Sequence, residues 1–248
     1  MIGLIGGLCL MMLFITPIQA TQYDPPWAHN YDFLYDDDLD SRPTASYASN
    51  IQSIVGYDNY SATNSDAEIA YLRMKDDSVF FFNGHGMAFD DNNYGGGLLF
   101  YNGTDSLLLA EYTQWLPPDD AYFLSNLTTE LNDALLAVYV ACHSAHTSWE
   151  AGNLVSMSAD KGVDNVIGFT SGIYAGHSDY WANRFWTRCI NGSPLGYHQK
   201  INDAAQGAKT DVLIQYQSYG GVDSLYGLYR NYYGIPLDYL DPDRYGVI

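Results

Sequence analysis

Two short apolar runs constrain this chain more than any other feature: Val79-Phe80-Phe81-Phe82-Asn83, which leads into Gly84-His85-Gly86, and Leu135-Leu136-Ala137-Val138-Tyr139-Val140, which leads into Ala141-Cys142-His143-Ser144. Neither run alternates with polar residues. Runs of this kind read as strands buried on both faces, the form that parallel strands take in an α/β sheet. Chemistry in such sheets collects just beyond the carboxyl ends of the strands. An imidazole and a thiol leaving neighbouring strands at one sheet edge would supply a base and a nucleophile.

The remaining segments extend the pattern. Residues 51–55 read as a short first strand and 64–75 as a helix with Ala67, Ile69, Ala70, Leu72 and Met74 at its apolar positions. Asn102-Gly103 between two apolar runs predicts a hairpin. A helix is expected over 120–133. Thr147 and Glu150 have capping-box spacing, which predicts a helix from about 148 to 160. A buried strand over 163–170 and helices over about 178–190 and 195–213 complete an α/β alternation. This implies one domain over 51–215 around a mostly parallel sheet. Residues 21–50, with Asp36, Asp37, Asp38 and Asp40, have no periodicity and read as an irregular acidic arm; the acids lack calcium-loop spacing. Residues 216–248 read as a Tyr-rich extension packed on the domain.

The first 20 residues contain no charged side chain and end in Ala20, as a signal peptide cleaved there would. An uncleaved anchor, tethering the chain to a membrane through residues 1–18, is the alternative. Leu8 before Cys9 speaks against a lipoprotein signal. The expected location is therefore secreted or cell-surface, and Asn59, Asn102 and Asn126 lie in glycosylation sequons expected in exposed loops. With 29 acidic and 10 basic side chains the net charge is −19, which repels phosphate backbones and excludes nucleic acid as a partner.

Removal of the leader leaves Cys142 and Cys189. A disulfide between them is one reading for an exported chain. The other is that Cys189, on a segment with helical spacing, packs as a small hydrophobe while Cys142 stays free. A zinc site from Cys142, His143, His146 and His177 fits no standard ligand spacing. Gly95-Gly96-Gly97 is not followed by Lys-Ser/Thr and is no phosphate loop. Thiolate attack at Cys142 needs an imidazole, supplied by His85, and oxyanion donors, for which the backbone amides of Gly86 and Cys142 are placed.

A strand ending in Gly-His-Gly, followed 57 residues after its histidine by a strand ending in Ala-Cys-x-Ser, resembles the caspase-like clan of cysteine peptidases. Within that clan the chain is more similar to the gingipain-type and CHAT-type branches. The likeness takes in the hairpin after Gly-His-Gly, the strand G-V-D-N-V-I-G-F-T at 162–170, A-N-R-F-W at 182–186 and D-A-A-Q-G-A at 203–208. It departs from the caspase pattern Gln-Ala-Cys-x-Gly, with Val140 in place of the Gln and Ser144 in place of the Gly, and Ala145 stands where related branches often carry Gly. The resemblance implies a three-layer α/β sandwich with helices on both faces. It also implies a cysteine endopeptidase that cleaves a protein or peptide substrate through Cys142 and His85 without a cofactor. A non-catalytic interaction module on the same fold is the alternative.

Between Lys75 and Lys161 there is no Lys or Arg, while Asp and Glu occur 12 times. A pocket for acidic side chains needs cations, so a basic residue before the scissile bond is expected instead. Asp90 and Asp91 are candidates to meet it, and His177, beyond another strand, to line the cleft. The same negative field disfavours a thiolate, so protonated His85 is needed beside it.

Overall fold

The two apolar runs lie side by side as parallel strands, and the rest of the fold is built outward from them. A computed structural model describes residues 27–32, 58–63, 66–90, 93–101, 103–112, 121–132, 134–191, 199–229, 231–232 and 235–236. Chain order runs β1 (Trp27–Asp32), β2 (Asp58–Thr63), α1 (Ala67–Arg73), β3 (Asp77–Asn83), β4 (Gly86–Asp90), β5 (Asn93–Tyr101), β6 (Asp105–Leu109) and β7 (Ala121–Phe123). It continues with β8 (Leu136–Val140), α2 (Leu154–Asp160), β9 (Asn165–Phe169), α3 (Ala175–Asn191), α4 (Ile201–Tyr216) and β10 (Leu225–Tyr229). The central sheet has the order β10-β9-β8-β3-β1-β2, parallel throughout except for β10, which runs antiparallel to β9 at the edge. A second sheet, β4-β5-β6-β7, hangs from the end of β3.

The strand sequences explain the layers. Successive side chains point to opposite faces, so an apolar run without alternation must be covered twice. Val79 and Phe81 of β3, Val138 and Val140 of β8, and Ile167 and Phe169 of β9 pack with Trp181, Phe185, Trp186 and Ala205 of α3 and α4. Phe80, Phe82, Ala137, Tyr139 and Val166 face the other way, against α2 and the hairpin residues Leu98, Phe100 and Leu108. Each of these large side chains contributes about 1.5–3 kcal/mol by burial. Aromatic rings set the spacing: Phe81 meets Trp186 edge-on at 5.3 Å and Phe82 meets Phe100 at 4.9 Å. Tyr139, fully buried, places its hydroxyl 2.7 Å from that of Ser158 on α2.

Several sequence expectations change. Within the arm expected to be irregular, Trp27–Asp32 is a strand of the central sheet, paired with both β2 and β3. Residues 51–55 and the cluster Asp36, Asp37, Asp38 and Asp40 lie outside the described residues, as do residues 1–20. Asn59 lies in β2 rather than a loop. In α1, capped by the Asp66 side chain, Ala67, Ala70 and Met74 are buried but Ile69 and Leu72 stay 42% and 52% exposed. No helix forms over 121–132: β7 pairs parallel with β6 and ends in a single 3-10 turn over Leu124–Asn126. Here a partner strand with open backbone groups outweighs local helix preference. The helix after Cys142 begins at Leu154, because Ser148 and Gly152 close a tight turn by reciprocal backbone bonds of 2.8 and 3.0 Å. Asn153 then caps the helix, its side chain accepting from Ser156 N–H.

Candidate active site

Register brings the two reactive residues to one edge. Asn83 at the end of β3 pairs with Val140 at the end of β8, and Gly84 N–H donates to Val140 O at 3.1 Å. His85 and Cys142 therefore step off adjacent strands at the same level. The carbonyl of His85 accepts from Leu99 N–H at 3.0 Å, which fixes the histidine turn to β5. Gly86 runs so close to the other turn that a Cβ there would lie 1.7 Å from the Cys142 carbonyl oxygen. Only a residue without a side chain permits that approach.

The turn after β8 is held from three directions. Ser144, fully buried, donates its hydroxyl to Tyr139 O at 2.9 Å and accepts from Phe169 N–H at 3.0 Å, stitching β8 to β9. His143 adopts a left-handed φ of 57° and donates its N–H to Ser171 O at 3.0 Å. The start of β5 lies against the same turn, where a Cβ on Gly95 would come 2.6 Å from His143 O. Gly95 and Gly96 thus permit a close backbone approach, Gly96 lying against Ala151 O. Burial, followed by the neighbouring His146, lowers the His143 pKa, with a hydrogen bond at Thr170 opposing.

The Cys142 thiol is partly exposed and Cys189 is fully buried in the core, and the disulfide between them that was the alternative expectation is not formed. Sulfur accepts from Ile173 N–H at 3.3 Å and lies 3.6 Å from Ile173 O, to which it donates. Beyond Ile173 an open groove of about 520 Å³ runs between the loop after β9 and the end of α4, with Tyr174, Leu213, Gln217, Tyr219, Gly221 and Asp223 on its walls. His177 is placed behind that wall. Its ring stacks on Tyr216 at 4.3 Å and touches Tyr174 edge-on at 5.7 Å, with Gly220 against it. Asp90 ends β4, and Asp91 lies outside the described residues. Among the described residues no three His, Cys, Asp or Glu side chains converge as a metal site.

Two residues near the site escaped sequence reasoning. Asp179, in the first turns of α3, accepts from Asn83 Nδ2 at 3.1 Å and so ties that helix to the strand that carries His85. Asp223, in the 3-10 turn Val222–Ser224, supplies a carboxylate at the groove. Neither belongs to a local motif; each is brought in by a returning segment of chain.

The architecture is the caspase-like α/β fold, with a thiol at the carboxyl edge of its sheet. At the level of sequence the chain matches no protein-family model and no curated protein. In structure it is similar to gingipain R, an Arg-specific cysteine proteinase, with a TM-score of 0.50 at 8% identity. The likeness covers 89% of this chain and 47% of that one, so this chain spans about half the length of the proteinase. At such low identity the likeness concerns the fold.

Proposed function

We propose that this protein is a cysteine endopeptidase in which Cys142 is the nucleophile and His85 the general acid and base. The observation that carries the reading is the contact of the Gly86 backbone with the Cys142 carbonyl, which sets the histidine turn directly beside the nucleophile turn. In the reaction the thiolate forms a bond to the peptide carbonyl carbon, and the C–N bond breaks as His85 gives its proton to the departing amine. Water then adds to the thioester as His85 takes a proton, and the acid leaves with Cys142 restored. The amides of Gly86 and Cys142 are the proposed oxyanion donors.

A basic residue is proposed before the scissile bond. The stretch free of Lys and Arg around both residues supports this, and so does Asp223 beside the rings of Tyr174 and Tyr219 in the adjacent groove, where a cation gains from carboxylate and π faces alike. The Arg specificity of gingipain R points the same way. Asp90 and Asp91 remain proposed substrate contacts, and His177 is proposed to shape the cleft by backing its wall. Export through residues 1–20 is part of the proposal, and no helix among the described residues is long and apolar enough to cross a membrane.

The test is hydrolysis of fluorogenic peptides carrying Arg, Lys, Asp or Leu before the scissile bond. Cleavage after Arg or Lys, lost in both Cys142→Ala and His85→Ala, is the expected result. Turnover that survives either substitution overturns the residue assignment. No turnover on any peptide leaves a non-catalytic module on this fold.

A further inference from the structure

The loop that meets the Cys142 thiol is held from behind by the segment that follows α4. Ile173 touches sulfur twice, through its N–H at 3.3 Å and its carbonyl at 3.6 Å. The two contacts act in opposite senses: a donor favours the thiolate and an acceptor favours the neutral thiol. The amide is the nearer. The position of Ile173 over the sulfur therefore decides both of these hydrogen bonds.

The segment after α4 holds that loop at several points. Tyr174 N–H donates to Gly220 O at 2.9 Å, Thr170 N–H to Ser224 O at 3.0 Å, and Ser171 N–H to Ser224 Oγ at 3.3 Å. Gly221, at φ +90°, presses against the loop itself: a Cβ there would lie 2.0 Å from Gly172 O and 3.0 Å from Ile173 Cα. Any side chain at Gly221 must displace the backbone that carries the Ile173 amide.

We infer that Gly221 is a positioning residue for Cys142, coupling the end of α4 through Gly172 and Ile173 to the reactivity of the thiol. This rests on Cys142 as the reactive thiol of the proposed site, but not on hydrolysis. The experiment follows alkylation of the full chain by iodoacetamide from pH 5 to 10, resolved by peptide mass spectrometry so that Cys142 is read separately from the buried Cys189. In Gly221→Ala the Cys142 profile moves to higher pH by at least about half a unit, equivalent to an alkylation rate about threefold lower on the rising limb. Ser224→Ala, which removes the acceptor for Ser171 N–H and the hydroxyl that donates to Gly221 O at 2.7 Å, moves it the same way by less. Ile201→Ala, which removes buried volume at the start of α4, the end opposite the Gly221 segment, lowers the melting temperature without moving the profile.

An unchanged profile in Gly221→Ala, or one displaced no further than in Ile201→Ala, overturns the inference. If Gly221→Ala does not fold, an unchanged profile in Ser224→Ala overturns it. A shifted profile in a protein that cleaves no peptide sinks the peptidase reading and leaves this coupling standing; normal cleavage with an unmoved profile does the reverse.

Discussion

Gly86 and Cys142 touch backbone to backbone: the position of a side chain on the glycine is occupied, at 1.7 Å, by the carbonyl oxygen of the cysteine. The contact joins the exits of β3 and β8 and leaves the two turns no independent movement. Gly86→Ala must push them apart. It is expected to cost about 1–3 kcal/mol as an overpacking change or more, because the obstacle is backbone. Urea denaturation measures the loss, and alkylation of Cys142 should change with it if the turns are coupled.

Ser144 stands two residues after Cys142, and its hydroxyl joins Tyr139 O to Phe169 N–H inside the core. In Ser144→Ala both groups lose a partner where water does not reach. The expected destabilisation is about 1–3 kcal/mol. A folded protein of unchanged denaturation midpoint would show that the hydroxyl is dispensable.

The two thiols should be separable by exposure alone. Burial raises the Cys189 pKa, and its side chain is enclosed by α3 and α4, whereas Cys142 is partly open. Native protein should therefore be alkylated at Cys142 and modified at Cys189 only as fast as it unfolds. Equal labelling of both in native buffer would contradict the packing of the α3 and α4 layer.

Stability should fall in two steps on acidification. His143 is held below the usual imidazole range, so the unfolded chain takes up its proton more readily; that contribution is complete above about pH 6.5 and is lost as pH falls below it toward the folded value. His143→Asn, a residue that tolerates φ 57°, should flatten this limb. Asp211 gives the second step. Burial alone would raise its carboxyl, but hydrogen bonds and charge from Arg188 and Arg184, at 2.9 and 2.8 Å, outweigh burial and lower it. Its contribution is present above about pH 3.8 and is lost below that as the pH falls toward the folded value. Asp211→Asn should flatten that lower limb and leave the upper one. Melting temperatures between pH 3 and 8 check both.

The sequence by itself determined the parallel centre of the sheet. Phe80, Phe81 and Phe82 in succession, and Leu136 to Val140, leave no polar face for solvent, so each strand had to be covered twice. It also put His85 and Cys142 at strand ends, and Gly103 at the hairpin turn, because glycine and an abrupt change of polarity are local signals. Tertiary structure decided whatever depended on a distant partner. Trp27–Asp32 is a strand because β2 and β3 flank it, and Ala121–Phe123 extends because β6 offers open hydrogen bonds. The Ile173 amide reaches the thiol from the loop after β9, and Asp223 and Gly221 reach the groove and that loop only when the chain returns after α4. Local propensity carries no record of such encounters, since their free energy comes from groups dozens of residues away.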